Sequence, residues 1–522
     1  MSAELGCAGA YIRSKDTAPC DCWFPSGSRS LSNLFQWRGL VGPQKRGDPL
    51  LSALGILIAA LGGLMFLPAA IDLAFFHDDW LVFVGGGSIS VGFGVALFLA
   101  MRGQEGEWNV RKAILFVNGI WILVSLFASL PLYFSSLHLS FVDAFFETVS
   151  GLTTTGSTVL SGLDTMAPGL LFWRSFMQWI GGLGIVAISV TILPMLGSGG
   201  QKLFFLESSE QSDNPYPRIR DFAAKIALVY FVLTVSCAVS YFLLGMTFFE
   251  AINHAMTTVS TGGFSTSDGS MGHFNSMGIL LAASFFMFLG GLPFLYMLRF
   301  FASDKPKDPQ IALYVRGVIF ATLLVFAAKE ALHPDTGFED LVLSLFNVIS
   351  IVTTTGFASG DYQLWGPLFW AIFLGLTFFG ACSGSTSGGL KQFRFVVAWL
   401  VIKDAVAKMV HPDRVVPMRY GLKVVDNDMA ASTMCLVFLF FATFTVFAVL
   451  LEMSGLDFIT SVSASATAIA NVGPGLGEII GPAGNFTSLP DIAKWLLSLE
   501  MILGRLEILS GLAIFMPAFW RW

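Results

Sequence analysis

Ten long apolar stretches govern what this chain can fold into. They run over residues 50–70, 80–101, 112–134, 170–197, 223–245, 275–300, 314–332, 365–401, 429–453 and 491–518. Crossing a bilayer takes about 20 apolar residues. Within hydrocarbon the backbone must satisfy its own polar groups, and a helix does so inside one segment. Only 12% of the 522 residues are charged, against about 25% in soluble domains. The expected fold class is therefore an all-α polytopic membrane protein with about ten transmembrane helices. The 365–401 stretch is too long for one simple span, and "GACSGSTSGG" interrupts it at 380–389.

Lysine and arginine set the orientation. Lys45, Arg46, Arg102, Arg111 and Lys112 flank the first three spans, Lys202, Arg218, Arg220 and Lys225 follow the fourth, Arg299, Lys305, Lys307 and Arg316 the sixth, and Lys391, Arg394, Lys403, Lys408, Arg414, Arg419 and Lys423 the eighth. All fall on one side if both termini are cytoplasmic. The other side carries Asp78, Asp79, Asp164, Asp268, Asp335, Asp361 and Glu478, an acidic face that enriches cations. Residues 1–49, rich in Ser, Gly, Pro and charge and without a long apolar run, read as a poorly ordered cytoplasmic tail with no cleavable signal.

Between successive spans, always on the acidic side, lie four shorter pieces at 141–160, 248–266, 340–359 and 458–478. Ten residues of each align without gaps: "ETVSGLTTTG" (147–156), "HAMTTVSTGG" (254–263), "NVISIVTTTG" (347–356) and "ASATAIANVG" (464–473). Each ends in glycine, and Gly156, Gly263, Gly356 and Gly473 are separated by 107, 93 and 117 residues. Repetition of this kind implies pseudo-symmetry. The expected organisation is a tail (1–49), a two-helix unit (50–110), and four span–short helix–loop–span units at 111–222, 223–313, 314–428 and 429–522.

Non-helical backbone at membrane depth is tolerated only where protein buries it or water meets it. Four such loops about one axis ring a central path, and their carbonyl oxygens can replace a cation's hydration shell. Glycine permits the backbone angles this needs, and each short helix aims its negative C-terminal end at the ion. The expected ion-binding residues are Thr154, Thr155 and Gly156; Thr261, Gly262 and Gly263; Thr354, Thr355 and Gly356; and Asn471, Val472 and Gly473. The alternative is four re-entrant loops that conduct nothing.

At this point the residues resemble a known family. "FFETVSGLTTTGSTV", "FMQWIGGLGIV", "STGGFST", "GPGLG", "GRLEI" and the ending "MPAFWRW" are similar to the TrkH-type subunit of the Trk/Ktr/HKT potassium transporters, in the family's order over about 50–522. The resemblance implies a channel-like fold of four M1–P-loop–M2 units after a two-helix unit, and a homodimer with one pore per subunit. It implies a TrkA-type cytoplasmic nucleotide-binding regulatory subunit, the bacterial inner membrane as location, and K+ as the transported ion with no bound cofactor. In plant relatives a serine at the first filter position goes with sodium preference; Gly156 stands there here, which points to potassium. The fourth loop departs from the TTTG pattern, with Ala470, Asn471 and Val472 before Gly473.

Two gate candidates follow. Glycine and serine hold a helix poorly at 380–389; in the family the corresponding loop obstructs the pore beneath the filter, which singles out Gly380, Gly384, Ser385, Gly388 and Gly389. A passive helix interruption is the alternative. Gly384 to Lys391 faintly resembles a phosphate-binding loop, but Lys391 does not directly follow Gly389 and Gln392 replaces Ser or Thr. Arg505 lies mid-span, where a charge costs about 3 kcal/mol and is usually functional or paired. The resemblance places it near the gating loop; an ion pair with Glu500 or Glu507 is the alternative.

Other polar residues take plainer readings. Glu147 and Glu250 are expected to bond backbone or line the outer funnel, Arg174 and Lys494 to snorkel or pair with acids, and His254 to pack or cap a helix. The six histidines and six cysteines show no metal or disulfide pattern, Cys20 and Cys22 being too close together for a usual zinc pair. Nucleic-acid binding has no support. An alternating-access carrier calls for inverted repeats, whereas these repeats share one topology. An intramembrane enzyme needs a nucleophile or metal constellation that the sequence lacks. Coupling to H+ or Na+ stays open, and 198–222, 301–313 and 403–428 are expected to dock the regulator.

Overall fold

Four short helices start where the sequence supplies a cap. In the computed structural model they span Phe141–Leu152, Phe248–Val259, Phe338–Val352 and Phe458–Ala470. Ser140 and Asp457 accept from the backbone N–H groups of Asp143 and Thr460, Thr247 and Glu250 form a reciprocal capping box, and Asp340 accepts from the Gly337 N–H. The structure describes residues 48–522 apart from 103–108, 192–215, 302–307, 333–336, 414–415, 422, 507 and 522. Residues 1–47 of the expected tail, the 198–215, 302–307, 414–415 and 422 parts of the expected docking surface, and Glu507 thus lie outside the described residues.

In chain order, α1 (Pro49–Leu64), α2 (Phe66–Ala74) and α3 (Trp80–Met101) precede α4 (Val110–Ala128), α5 (Leu130–Phe134), the first short helix α6 (Phe141–Leu152) and α7 (Pro168–Thr191). Then come α8 (Tyr216–Leu243), the second short helix α9 (Phe248–Val259), α10 (Met277–Gly290) and α11 (Phe294–Phe301). They are followed by α12 (Pro309–Leu332), the third short helix α13 (Phe338–Val352), α14 (Pro367–Thr377) and α15 (Gln392–Val410). Last are α16 (Asn427–Met453), the fourth short helix α17 (Phe458–Ala470), α18 (Asp491–Arg505), α19 (Leu509–Ala513) and α20 (Pro517–Trp520). The protein is all-α and polytopic; a two-residue hairpin, Arg419–Tyr420 with Lys423–Val424, is a local exception between α15 and α16.

Seven described helical segments are long and apolar enough to cross a membrane, two of them interrupted briefly at Met65 and Ser129. Three of the ten expected spans are broken instead. The 275–300 stretch bends by 97° between α10 and α11, where Gly290, Gly291 and Pro293 weaken helix and remove a donor. The 365–401 stretch is split by the 380–389 loop, whose ends are joined by a parallel bridge between Phe379 and Leu390. The 491–518 stretch ends as α18 at Arg505, and Ile508 then takes φ 51°.

Small residues bring the helices close. A Cβ on Gly55 would sit 2.7 Å from the Gly94 carbonyl oxygen, and one on Gly62 2.7 Å from that of Gly87, so α1 and α3 touch backbone to backbone. The first unit meets the next where the Gly169 N–H, at the start of α7, donates to buried Asp72 at 2.5 Å. Asp72 thereby satisfies one of the free N–H groups of the helix N-terminus. Gly181, Gly290 and Gly504 let α7, α10 and α18 lie against the carbonyls of Leu152, Val259 and Ile469, the sixth position of three of the four loop segments.

Candidate functional site

The four loops share one backbone path. At the eighth aligned position Thr154, Thr261, Thr354 and Asn471 all take left-handed angles, with φ of 55°, 53°, 57° and 54°. Non-glycine residues rarely adopt this conformation, and its recurrence four times in register is imposed structure. At the tenth position Gly156, Gly263, Gly356 and Gly473 have φ of 89°, 79°, 81° and 109°, where glycine carries no Cβ penalty. The divergent fourth sequence therefore follows the same path as the others, with asparagine, which tolerates this region best after glycine, at the eighth position.

The glycines close a ring. A Cβ on Gly156 would strike the carbonyl oxygen of Gly262, one on Gly263 that of Thr355, and one on Gly356 that of Val472. One on Gly473 would lie 2.8 Å from the carbonyl oxygen of Thr155. Each loop's glycine thus meets the ninth-position carbonyl of the next, and the fourth returns to the first. Ser157 adds a closing bond from loop one to the Gly473 carbonyl at 2.8 Å. Eight of the twelve expected ion-binding residues make these contacts, and the other four, Thr154, Thr261, Thr354 and Asn471, precede them by one residue in each loop. Beyond it opens a cavity of about 230 Å³ lined by the four glycines together with Arg174 and Asp268.

Buried side chains hold the rim. Arg174 and Glu147, each at most 1% exposed, pair at 2.8 Å. Glu147 also accepts from the Val159 N–H at 2.9 Å, and Arg174 donates to the Ser265 carbonyl at 3.1 Å while stacking 4.2 Å over the Phe264 ring. The pair ties loop one to loop two, and its extra hydrogen bonds are what a buried ion pair requires. His254 spans from the Glu250 carbonyl (2.9 Å) to the Ser265 hydroxyl (3.0 Å). Lys494 pairs with Asp143 at 2.5 Å, so both basic residues expected to pair do so.

The 380–389 loop lies against the eighth-position residues. The Gly388 N–H donates to the Thr354 hydroxyl at 2.6 Å, a Cβ on Gly388 would fall 2.9 Å from that of Asn471, and one on Gly389 would fall 3.5 Å from the Thr354 methyl. The Thr386 hydroxyl donates to the Val259 carbonyl at 3.1 Å and receives that of Thr261 at 3.3 Å. The loop therefore contacts three of the four ring segments. Gly380, Gly384 and Ser385 sit farther off: Gly380 packs on Gly388, Gly384 accepts from the Phe294 N–H at 3.0 Å, and Ser385 bonds within the loop to the Cys382 carbonyl at 2.7 Å. Lys391 donates to the Ser387 carbonyl, a local use of the residue that gave the phosphate-loop likeness.

Arg505, 4% exposed, donates from Nη2 to the Thr386 carbonyl at 2.9 Å. The two gate candidates thus meet. Glu500 is bound to the Ser465 hydroxyl at 2.6 Å and makes no ion pair with Arg505; Arg505 Nε has no partner among the described residues. Sequence reasoning missed Thr386, one hydroxyl in a run of them, and Gln178, an ordinary polar residue within a span. Only the fold reveals what either one touches.

Seven apolar spans among the described residues, or eight with the bent pair counted as one, together with four short helix–loop segments and a glycine ring, define a polytopic all-α membrane protein. Comparison with known proteins narrows this. The family profile described as "TrkH: Cation transport protein" matches residues 81–327 and 309–521. The chain is 41% identical over 492 residues to the Trk system potassium uptake protein TrkI of Halomonas elongata, covering 91% of this chain and 98% of that one. It is 33% identical to the Trk system potassium uptake protein TrkH of Escherichia coli, covering 90% and 98%. The crystal structure of the potassium transporter TrkH from Vibrio parahaemolyticus superposes with a TM-score of 0.84 at 33% identity, over 90% of this chain and 99% of that one. The chain belongs to the TrkH family of cation transport proteins.

Proposed function

We propose that this protein takes up potassium across the bacterial inner membrane through a pore at the centre of the four-loop ring. Its four pore units are 111–222, 223–313, 314–428 and 429–522, both termini are cytoplasmic, and the protein works as a homodimer. The observation that carries the reading is the closed ring, in which each glycine abuts the ninth-position carbonyl of the next loop. Carbonyls gathered about one axis replace water around a dehydrated cation, and the acidic outer face supplies cations to them. The relatives' names as potassium uptake proteins support K+ as the ion.

The 380–389 loop and Arg505 act as the gate. The loop reaches three ring segments, and the guanidinium holds it there by its bond to Thr386. A buried cation next to the conduction path also repels K+. A cytoplasmic nucleotide-binding subunit of the TrkA type moves this gate by way of the cytoplasmic connections.

Uptake of radioactive rubidium into vesicles holding the purified protein, with K+ or Na+ as competitor, tests this beside a Gly156→Ser variant. K+ is expected to compete far better than Na+, and the variant to lose that preference. Equal competition by the two ions, or an unaltered variant, refutes the assignment of the ring as the filter.

A further inference from the structure

The four loops follow one path but are not braced alike. In loops one and three the seventh and ninth residues tie their hydroxyls together: Thr153 to Thr155 at 2.8 Å and Thr353 to Thr355 at 2.7 Å. In loop four the Asn471 carboxamide donates to the Thr155 hydroxyl at 2.9 Å and to the Met501 carbonyl at 3.0 Å. Loop two has Ser260 at the seventh position but Gly262 at the ninth, so it has no side chain with which to make the tie.

The missing brace comes from outside the unit. Gln178, fully buried on α7, donates from Nε2 to the Gly262 carbonyl at 2.6 Å and accepts at Oε1 from the Phe264 N–H at 3.0 Å. The carboxamide cannot be turned over, because Phe264 offers only a donor and the Gly262 carbonyl only an acceptor. A Cβ on Gly262 would run into this side chain, lying 2.9 Å from its Cγ and closer still to the carboxamide. The glutamine therefore fills the space that a ninth-position side chain takes in the other loops. Gly181, Gly290 and Gly504 occupy matching places against their loops, and three residues before each stand Gln178, Met287 and Met501. Of these three units only the first puts a polar side chain there, facing the one loop without a ninth-position side chain.

We infer that Gln178 is a positioning residue for ion selectivity: it sets the Gly262 carbonyl in the ring, and it and Gly262 are one complementary pair. This rests on the ring being the filter. A carbonyl free to tilt meets K+ and Na+ with less discrimination, and α7 transmits to the second loop any shift of the first unit's frame.

The test is K+ against Na+ competition for rubidium uptake in vesicles. This ratio does not depend on how much protein folds. Gln178→Met keeps the side chain's bulk and copies Met287 and Met501, while Gly262→Thr keeps the glutamine but collides with it. Each is expected to lower the K+ preference on the order of tenfold, the change that about one buried hydrogen bond corresponds to. The double variant Gln178→Ala with Gly262→Thr makes room for the threonine, whose hydroxyl can tie to Ser260 as in loops one and three, and is expected to recover most of the preference. An unaltered preference in Gln178→Met, or a double variant no better than the poorer single one, overturns the inference. Gly156→Ser run alongside separates the two readings: if it abolishes the preference while Gln178→Met does not, the clamp alone is wrong; if neither has any effect, the filter assignment fails as well.

Discussion

On the gate proposed above, removing the Arg505 guanidinium should favour opening by about the worth of one buried hydrogen bond. One hydrogen bond links it to the loop, Nη2 to the Thr386 carbonyl at 2.9 Å. A buried bond from a charged donor is worth about 1.5–3 kcal/mol, and at about 1.4 kcal/mol per factor of ten its loss favours displacement of the loop about 10- to 150-fold. The loop keeps its other ties, Gly388 to Thr354 and Thr386 to Val259, so it is loosened rather than unfolded. Arg505→Ala is therefore expected to raise rubidium flux toward the fully open level in the absence of any regulatory subunit. The K+ over Na+ preference should hold, because the ring itself is intact. Stopped-flow flux on purified protein in vesicles, normalised to protein content, is the assay. Unchanged or reduced flux from well-folded Arg505→Ala protein would refute the reasoning, and a lost K+ preference would show that Arg505 holds the ring and not the loop.

Other outcomes follow from the buried contacts. Glu147→Ala strands Arg174 at 1% exposure and is expected to cost about 3–5 kcal/mol, read as a lowered melting temperature in detergent; a melt within error of the parent contradicts the pairing's role. Gly473→Ala places a Cβ 2.8 Å from the Thr155 carbonyl at φ 109° and should reduce K+ preference. Gly63→Ala, with open space around its Cβ, should melt no lower than the parent, since alanine gains about 1 kcal/mol over glycine in a helix. The Ser465 hydroxyl has one proton and two acceptors in reach, the Phe444 carbonyl at 2.9 Å and Glu500 at 2.6 Å. A glutamine at position 500 supplies the second donor, so Glu500→Gln should keep its melting temperature while Glu500→Leu loses about 1–3 kcal/mol. Equal loss in both variants would count against that hydrogen-bond assignment.

How much of this was legible in the sequence depends on how local each cause is. Length, apolarity and the placement of Lys and Arg act segment by segment, so the helical class could be read directly. The ungapped repeat carried the register of the four loops even into loop four, where Asn471 and Val472 replace threonines, because the left-handed eighth position and the glycine tenth position are demands of the local backbone. The breaks were legible only in part. The 380–389 interruption was plain, but the 97° bend after Gly290 and the stop at Arg505 were hidden in apolar stretches of ordinary length.

The sequence by itself thus determined the class of protein, the repeating unit and the residues that line its loops, since these follow from periodicity, hydropathy and glycine content along the chain. Tertiary structure alone decided which carbonyl each glycine faces, that Arg505 reaches Thr386 and not Glu500, and that Gln178 fills the gap beside Gly262. Each of these joins residues tens to hundreds of positions apart. The fit of one side chain into space left by another exists only once the helices are packed.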